Sequence, residues 1–396
     1  MMADKKLDVY YHKKLVGTLA ESANKQIAFQ YSTEWQKTGF PISPLALPLK
    51  NDVFLPPEKN SYIFHGLFGV FADSLPDAWG ELLMQRYFSS VGVDFSALSV
   101  LDRLAYIGSS GMGALEYYPA KTIDFKSVNA AMDYDDIARE CSNILSSKAS
   151  DQLDLIYTLA GSSGGTRPKI LLKTDDGEWI IKFPARTDDA MSGRREYDYS
   201  LCVRECGIDM MSTELLPSAV CDGYFKTKRF DRIDGNKVFT STFAAILNAD
   251  YNTPSCDYMT FFKLVNVLTR QNAEDVRQLY RQMCFNVLNH NLDDHTKNFS
   301  FIFTEDNGWH LSPAYDMTYS TTYYGEHTTS VNGKGKDICD EDLIAVGSAA
   351  GLKKSFCKDI LAEIKAKSEC LKPYLSSPNT RKTKRIKLSD KLKELK

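Results

Sequence analysis

The segment from residue 161 to residue 183 limits the fold more than any other part of the chain. A Gly/Ser-rich loop, Gly161-Ser-Ser-Gly-Gly165, precedes the apolar segment Ile170–Lys173, the turn Asp175-Asp-Gly177 and a second apolar segment, Trp179–Phe183. Two short β-type segments joined by an Asp-Gly turn predict an antiparallel hairpin. Because glycine has no Cβ, backbone N–H groups in such a loop can approach an anion closely. The segment therefore predicts a hairpin that follows an anion-binding loop.

The periodicity of the remaining chain predicts β structure first and mostly helices later. Apolar residues alternate over 7–11 and 27–31, which predicts a small antiparallel sheet at the start. Helical spacing predicts helices over residues 77–87, 137–145, 153–159, 194–206 and 274–289. In the last of these, the apolar stripe is interpreted as core packing.

Composition restricts the class of protein. The 396 residues carry a formal net charge of -3, and the nine cysteines are scattered without a C-x-x-C pair. Neither a disulfide framework nor a zinc cage is expected. No run reaches the roughly 20 apolar residues that a membrane span needs, so a cytoplasmic protein without a membrane partner is predicted. Residues 378–396 hold eight Lys/Arg and two Asp/Glu, a basic tail of +6 that leaves -9 for the rest.

The densest group of polar side chains is the segment His290–Asn298, which follows an apolar helix and precedes the apolar segment Phe299–Phe303. Within it, Asp293 and Asn298 have the D-x-x-x-x-N spacing of a protein-kinase catalytic loop. Asp316 follows two further predicted strands, where a second carboxylate can bind Mg²⁺ beside nucleotide phosphates. The Gly of a D-F-G triplet is absent, since Met317 and Thr318 follow the aspartate.

The order of residues upstream agrees with the same chemistry. The second hairpin strand carries Lys182, as the corresponding strand of kinases carries a phosphate-binding lysine, and Glu196 on the next predicted helix is placed to pair with it. The alternatives are an exposed strand lysine and a glutamate paired with a neighbouring arginine. Arg229 and Phe230 lie where two lobes would join, and they either flank an adenine or form a strand end with a salt bridge.

The His/Asp side chains and a second glycine-rich segment have other interpretations. A metallohydrolase could use His/Asp ligands, and the available side chains are His290, Asp293, Asp294, His295 and Asp316. Their spacing matches no familiar ligand set. The glycines of 108–113 have the order G-x-x-G-x-G and no helix signal follows, so a structural turn is predicted there instead of a nucleotide loop.

These residues together resemble the HipA family of bacterial serine/threonine kinases, the toxins of HipBA-type toxin–antitoxin modules. The resemblance extends over nearly the whole chain except the basic tail. The matching segments are residues 7–19, 41–49, 71–76, 111–116, 161–169, 179–184, 229–232, 291–300 and 315–316. The resemblance implies an α+β, bilobal, protein-kinase-like fold, with a β-rich N-terminal lobe, an extra small β subdomain and a mainly helical C-terminal lobe. The expected boundaries are 1–120 for the subdomain, 121–230 for the rest of the N-lobe, 231–377 for the C-lobe and 378–396 for the tail.

The resemblance also implies roles for individual residues. Asp293 is the expected catalytic aspartate, Asn298 and Asp316 the Mg²⁺ ligands, and Lys182 the lysine that contacts ATP phosphates. The full expected ATP-binding set is Gly161, Gly164, Gly165, Lys182, Glu196, Arg229 and Phe230. Family members silence themselves by autophosphorylation in or beside the Gly-rich loop, and the sequence leaves Thr158, Ser162 and Ser163 open as the site.

Partners follow from the same resemblance. The expected protein substrate is an aminoacyl-tRNA synthetase or another translation factor, and the expected neutralising partner is a DNA-binding HipB-like antitoxin. DNA contact would be indirect, through that partner, or would involve the basic tail. A pseudokinase that acts only as a partner-binding co-repressor is the alternative from another functional class.

Overall fold

The computed structural model describes residues 5–121, 132–148, 150, 152–161, 164–322 and 324–375. Ser162, Ser163 and the basic tail therefore lie outside the described residues.

The N-terminal part is an antiparallel sheet covered by short helices. Its strands follow the order β3-β2-β1-β4, and alternate residues of β3 (Ile27, Phe29 and Tyr31) are buried. The elements are β1 (Lys5–Tyr11), β2 (Lys14–Glu21), β3 (Ile27–Tyr31), α1 (Thr33–Thr38), α2 (Asn60–Ile63), α3 (Gly69–Ala72), α4 (Ala78–Ser90), α5 (Val100–Ile107) and β4 (Leu115–Tyr118). The sheet predicted for the start of the chain is confirmed, and α4 agrees with the helix predicted there.

The middle part contains the predicted hairpin within a second antiparallel sheet of order β5-β6-β8-β7. The hairpin register places Lys169 opposite Lys182 and Ile170 opposite Ile181. The elements are α6 (Tyr134–Leu145), α7 (Leu153–Ala160), β5 (Lys169–Thr174), β6 (Gly177–Lys182), α8 (Ser192–Glu205), β7 (Thr213–Leu216) and β8 (Tyr224–Lys228). Helix α8 packs against β7 and β8, which brings its inner face toward the end of β6.

The last part is mostly helical, with a small sheet of order β11-β13-β14. Its elements are β9 (Arg232–Ile233), β10 (Asn236–Lys237), β11 (Phe239–Thr242), α9 (Phe243–Leu247), β12 (Cys256–Asp257), α10 (Tyr258–Leu268), α11 (Ala273–Leu288), a 3-10 turn (Thr296–Asn298), β13 (Ser300–Thr304), β14 (Gly308–Leu311), β15 (Thr329–Ser330), α12 (Asp340–Ala349), α13 (Lys354–Lys367), a second 3-10 turn (Ser368–Leu371) and α14 (Lys372–Leu375). The mixed α+β class, β-rich first and helical later, is as predicted.

Helix α11 carries the core of this last part. Val276, Leu279, Tyr280 and Met283 are buried on one face, as the helical spacing of apolar residues predicts. Asn272 caps the helix by accepting the backbone N–H groups of its first turn. The helix ends at Leu288, two residues before the polar segment that starts at His290, so its packing fixes where that segment begins. Across the described residues, no helix combines the length and the apolar character that crossing a membrane requires.

A buried ion-pair group joins the N-terminal sheet to the rest of the chain. Asp231 accepts two hydrogen bonds from Arg229, at 2.8 and 2.7 Å, and one from Arg232 at 2.8 Å. It also accepts the backbone N–H of Gly113 at 2.8 Å, while Arg232 donates to the carbonyls of Gly111 and Gly113. The glycines of 108–113 therefore form a structural turn, as predicted. Arg229 is 3% exposed and belongs to this group, so the salt-bridge interpretation replaces the adenine-flanking one.

Candidate active site

Three charged side chains meet at the end of β6. Lys182 Nζ lies 2.6 Å from Glu196 Oε1 on α8, and it also donates to Asp316 Oδ1. The pairing of Lys182 with Glu196 predicted from their order is thus present. The contact with Asp316 joins the middle sheet to the last part of the chain across 134 positions of sequence. The site therefore lies in a cleft between these two parts.

Burial and charge act in opposite directions on this group. Burial alone would lower the pKa of Lys182, but Asp316 and Glu196 raise it above its usual range. Burial would likewise raise the pKa of Asp316, yet the ammonium groups of Lys182 and Lys169 hold it well below its usual range. Both side chains are therefore charged at neutral pH. Asp316 also adopts φ 54°, a left-handed conformation that aspartate tolerates better than most residues.

The polar segment after α11 presents one aspartate to solvent. Asp293 has 58% of its side chain exposed, and its backbone N–H donates to Ser320 Oγ at 2.9 Å. Asn298 ends the 3-10 turn Thr296–Asn298, and its amide donates to the Asp293 carbonyl at 2.6 Å. This hydrogen bond closes the D-x-x-x-x-N segment into a compact loop. A substrate hydroxyl can reach the Asp293 carboxylate from solvent.

The neighbouring aspartate faces the interior. Asp294 is 1% exposed and accepts hydrogen bonds from Tyr258 Oη, His327 Nδ1 and the backbone N–H of Thr329, at 2.9, 2.9 and 3.1 Å. These partners come from α10 and from the segment around β15. Asp294 therefore anchors the loop in the interior, whereas the Asp293 carboxylate remains outside this buried network. The sequence contained no signal for the partnership of Asp294 with His327.

The metallohydrolase interpretation does not agree with these positions. His290 stacks on Tyr319 with ring centroids 5.1 Å apart, Asp294 is held in the buried network, and Asp316 is bonded to Lys182. Among the residues that the structure describes, no group of three or more His, Cys, Asp or Glu side chains is placed to hold a metal ion. Three of the five side chains proposed for that interpretation thus have separate partners, and the other two, His295 and Asp293, lie 3.8 Å from each other.

The Gly-rich loop approaches the same cleft from α7. Gly161 follows α7 with φ 55°, and Gly165 before β5 has φ 92°, a conformation that side chains disfavour. Lys169 donates to the Gly164 carbonyl and so ties the loop to β5. Thr158, one of the three predicted phosphorylation sites, is exposed in the last turn of α7 and donates to the Asp154 carbonyl at 2.8 Å. Thr158 is therefore a helix residue.

Sequence reasoning missed three basic side chains at the cleft. Lys169 is buried opposite Lys182, and burial together with the charge of Lys182 lowers the pKa of Lys169 to about 8. Arg167 pairs with Asp188 at 3.0 Å and lies 3.8 Å from Glu196. The third is Lys297, which is buried next to Asn298. The Thr-Arg-Pro-Lys run after the loop was a usable signal for the first two, since both belong to one short segment.

Phe230 lies at the cleft although Arg229 does not. Its ring stacks on Tyr315, with centroids 5.4 Å apart and planes at 27°. Tyr315 precedes Asp316 in sequence, and its hydroxyl donates to the Lys297 carbonyl at 2.7 Å. An aromatic pair thus borders the charged group and joins it to the loop that contains Asp293.

The charged groups suit a polyphosphate accompanied by a divalent cation. Lys182, Lys169 and the backbone N–H groups of the Gly-rich loop are donors of the kind that bind phosphate oxygens. The oxygens of Asp316 and Asn298 are the hard ligands that Mg²⁺ prefers. The donor set therefore fits both ATP and Mg²⁺.

Comparison with known families matches both parts of the chain. The profile described as HipA N-terminal domain matches residues 7–118, and the profile described as HipA-like C-terminal domain matches residues 161–370. The second match alone covers more than half of the chain. The boundary between the two matches falls between β4 and the Gly-rich loop.

Individual relatives are distant. Two proteins of Sinorhizobium fredii (strain NBRC 101917 / NGR234), Y4dM and Y4mE, carry provisional kinase names. The first is 27% identical in an alignment of 207 residues that covers 47% of this chain and 49% of that protein, so the chain spans about half its length. The second is 25% identical in an alignment of 352 residues that covers 80% of this chain and 78% of that protein.

A solved structure shares the fold. The chain is similar to HipA of Shewanella oneidensis MR-1, solved in a complex with HipB and its operator DNA. The TM-score is 0.69 with 16% identity, over 98% of this chain and 95% of that one. At this identity the likeness concerns the fold alone.

Proposed function

The chain belongs to the HipA family, and from this premise we propose that it is an ATP- and Mg²⁺-dependent serine/threonine protein kinase. The observation that carries the proposal is the group of Lys182, Glu196 and Asp316, together with an exposed Asp293 in a loop that Tyr315 joins to Asp316. A lysine held by a helix glutamate, a carboxylate for a metal ion and a catalytic aspartate are the parts that phosphoryl transfer requires. The kinase names of the two relatives also support it.

In the proposed reaction, Asp293 binds the hydroxyl of a serine or threonine and accepts its proton. The hydroxyl oxygen forms a bond to the γ-phosphorus of ATP, and the bond from that phosphorus to the bridging oxygen breaks, which releases ADP. Asn298 holds the Asp293 carbonyl and so fixes the loop during this step. Positioning and charge neutralisation supply most of the catalysis in such a mechanism.

Lys182 binds phosphate oxygens in this proposal, while Glu196 keeps its ammonium group in place. Asn298 and Asp316 would hold Mg²⁺ through their side-chain oxygens, and the bound ion would offset the charge of the phosphates. Lys182 then has to exchange Asp316 for phosphate, whereas its bond to buried Glu196 persists. The lysine is positioned before nucleotide arrives, which reduces the entropy lost on binding.

We further propose that the kinase silences itself by autophosphorylation beside the Gly-rich loop. Ser162 and Ser163 lie between Gly161 and Gly164 in sequence, whereas Thr158 is part of α7. A phosphate group adds a charge of about -1.5 to -2, which would repel ATP phosphates from the loop. Modification within the loop thus requires no unwinding of α7, which favours the two serines over Thr158.

The partners proposed for this chain are those that the family suggests. A HipB-like DNA-binding antitoxin would neutralise the kinase, in line with the Shewanella oneidensis complex that contains HipB and operator DNA. The protein substrate would be an aminoacyl-tRNA synthetase or another translation factor. Contact with DNA would then occur through the antitoxin.

The test is transfer of radiolabel from γ-labelled ATP to the protein itself and to a generic serine/threonine substrate. We expect labelling by the unmodified chain and a loss of about 100-fold or more in Asp293→Asn, the range for losing a general base. Asp306→Asn, which changes an exposed turn residue, is the matched control and should label normally. Equal labelling by Asp293→Asn would remove Asp293 from the mechanism. Nucleotide binding without any transfer would favour the pseudokinase.

A further inference from the structure

Asp77 precedes helix α4 in the N-terminal part but does not cap that helix. Aspartate at this position normally accepts a backbone N–H from the first turn of its own helix. Here the side chain makes no such bond. Its Oδ2 accepts the backbone N–H of Gly165 at 2.7 Å, and its Oδ1 accepts a hydrogen bond from Lys297 Nζ. The carboxylate is thus directed away from α4 and into the cleft.

Both partners of Asp77 are groups of the kind that bind phosphate. Gly165 belongs to the Gly-rich loop, whose backbone N–H groups can surround an anion. Lys297 precedes Asn298, a proposed Mg²⁺ ligand, and its ammonium group also lies 4.4 Å from the centre of the Tyr251 ring. A Cβ added at Gly164 would come within 3.0 Å of Asp77 Oδ2, so the approach is close. The Asp77 carboxylate thus accepts hydrogen bonds from a loop backbone N–H and from a lysine at the same time.

The charges around Asp77 keep it ionised. Burial would raise its pKa, but Lys297, the Gly165 N–H and Lys169 lower it. An anion is therefore held between the Gly-rich loop and the loop that contains Asp293. A nucleotide phosphate carries the same sign of charge and accepts the same donors.

We propose that Asp77 takes the place of a nucleotide phosphate in the nucleotide-free protein, and that Lys297 is a further phosphate-binding residue which Asp77 releases when ATP binds. This inference rests on the proposed function. The Gly165 N–H and the Lys297 ammonium group pass from carboxylate to phosphate, so the donors stay satisfied in both states. Asp77 is an internal competitor for ATP, supplied by the N-terminal part of the chain.

The opposite role for Asp77 would be to hold the Gly-rich loop in the conformation that binds nucleotide. That role is partly filled by Trp79, whose backbone N–H donates to the Gly165 carbonyl at 3.4 Å and whose indole N–H donates to the Lys169 carbonyl at 3.2 Å. The loop therefore stays attached to α4 without the charge of Asp77. The two roles predict opposite changes in affinity, which makes them separable.

The experiment is isothermal titration of ATP, ADP and adenosine into the full chain and its variants. Asp77→Asn keeps an oxygen that accepts the Gly165 N–H but removes the charge that competes with phosphate. We expect it to bind ATP and ADP about three- to tenfold more tightly, the scale of one charged contact, with adenosine unchanged. Asp133→Asn, at an exposed N-cap that does cap its own helix, is the matched control and should equal the unmodified chain.

Lys297→Gln tests the other half of the proposal. We expect weaker binding of ATP and ADP, unchanged binding of adenosine, and no tightening when Asp77→Asn is added to it. If Asp77 acted only through its long-range negative charge, Asp77→Asn would tighten ATP binding equally in the unmodified chain and in Lys297→Gln. That result would overturn the proposed competition between Asp77 and phosphate. This variant also decides the matter if Asp77→Asn does not fold, since unchanged ATP affinity in Lys297→Gln contradicts the proposal.

Failure of this inference differs from failure of the proposed function. If the unmodified chain binds ATP and Asp77→Asn binds it equally or more weakly, only the competition by Asp77 is overturned. If ATP binds to none of the proteins, including the unmodified chain, the nucleotide-dependent function falls and the inference falls with it.

Discussion

The ion-pair group around Asp231 allows a quantitative prediction about stability. Asp231→Asn preserves the shape of the side chain but removes the charge that offsets Arg229 and Arg232. Both guanidinium groups are nearly inaccessible, with 2% and 6% of their side chains exposed. Removing one partner of a buried ion pair typically costs about 3–5 kcal/mol. Glu178 lies 3.4 Å from each arginine and still offsets part of their positive charge. We therefore expect Asp231→Asn to lose about 3 kcal/mol in the free energy of unfolding.

The pH dependence gives a second measurement on the same variant. Burial alone would raise the pKa of Asp231, but Arg229 and Arg232 hold it below its usual range. A carboxyl group with a depressed folded-state pKa stabilises the fold above its unfolded pKa of about 3.9, and that stability is lost as pH falls through the folded value. The difference between Asp231→Asn and the unmodified chain should therefore be constant near neutrality and shrink below about pH 4.

The assay is urea unfolding followed by tryptophan fluorescence, repeated from neutral to acidic pH. Asp234→Asn is the control, because Asp234 is exposed and lies three residues away on the turn between β9 and β10. That variant should unfold like the unmodified chain. A loss below about 1 kcal/mol for Asp231→Asn, the value of a surface ion pair, would refute the buried role of this group. A difference that does not change with acid would refute the pKa argument.

Two other predictions concern the site. Asp316→Asn should reduce Mg²⁺-dependent phosphate transfer by about 100-fold or more, as loss of a metal ligand at the reacting phosphate implies. ATP should still bind to it without Mg²⁺, because Lys182 keeps Glu196 as a partner, and titration with and without the metal checks both points. Intact-mass analysis of the purified chain should show one added phosphate group that maps to Ser162 or Ser163, and Asp293→Asn should lack it. A phosphate on Thr158 would show that α7 opens during the reaction, and an identical phosphate on Asp293→Asn would mean that another enzyme adds it.

The elements that the sequence predicts well are those encoded over a few neighbouring residues. The hairpin of β5 and β6 has two short apolar segments joined by an Asp-Gly turn, and α11 has an uninterrupted apolar face. The pairing of Lys182 with Glu196 follows from order along the chain, because in kinases the helix after the lysine strand carries the glutamate that pairs with that lysine. Each of these features depends on contacts over short distances in sequence.

The parts that escaped prediction depend on contacts between distant segments. Asp77 and Lys297 are 220 positions apart, and no local pattern relates them. Asp293 and Asp294 are adjacent and chemically equal, and the partners that hold Asp294 inside, Tyr258, His327 and Thr329, lie at least 33 positions away. Arg229 offered two equal interpretations for the same reason, since burial of its guanidinium group depends on Asp231 and the N-terminal turn.

The junction between the N-terminal sheet and the rest of the chain has a consequence for synthesis on the ribosome. The sheet strands and their helices emerge first, but Gly113 donates to Asp231, 118 positions later, and Asp73 accepts the backbone N–H of Thr242, 169 positions later. Domains tend to fold as they emerge, with the N-terminal one first. These two contacts must therefore wait, with their polar groups in water, until more than half of the polypeptide has been translated.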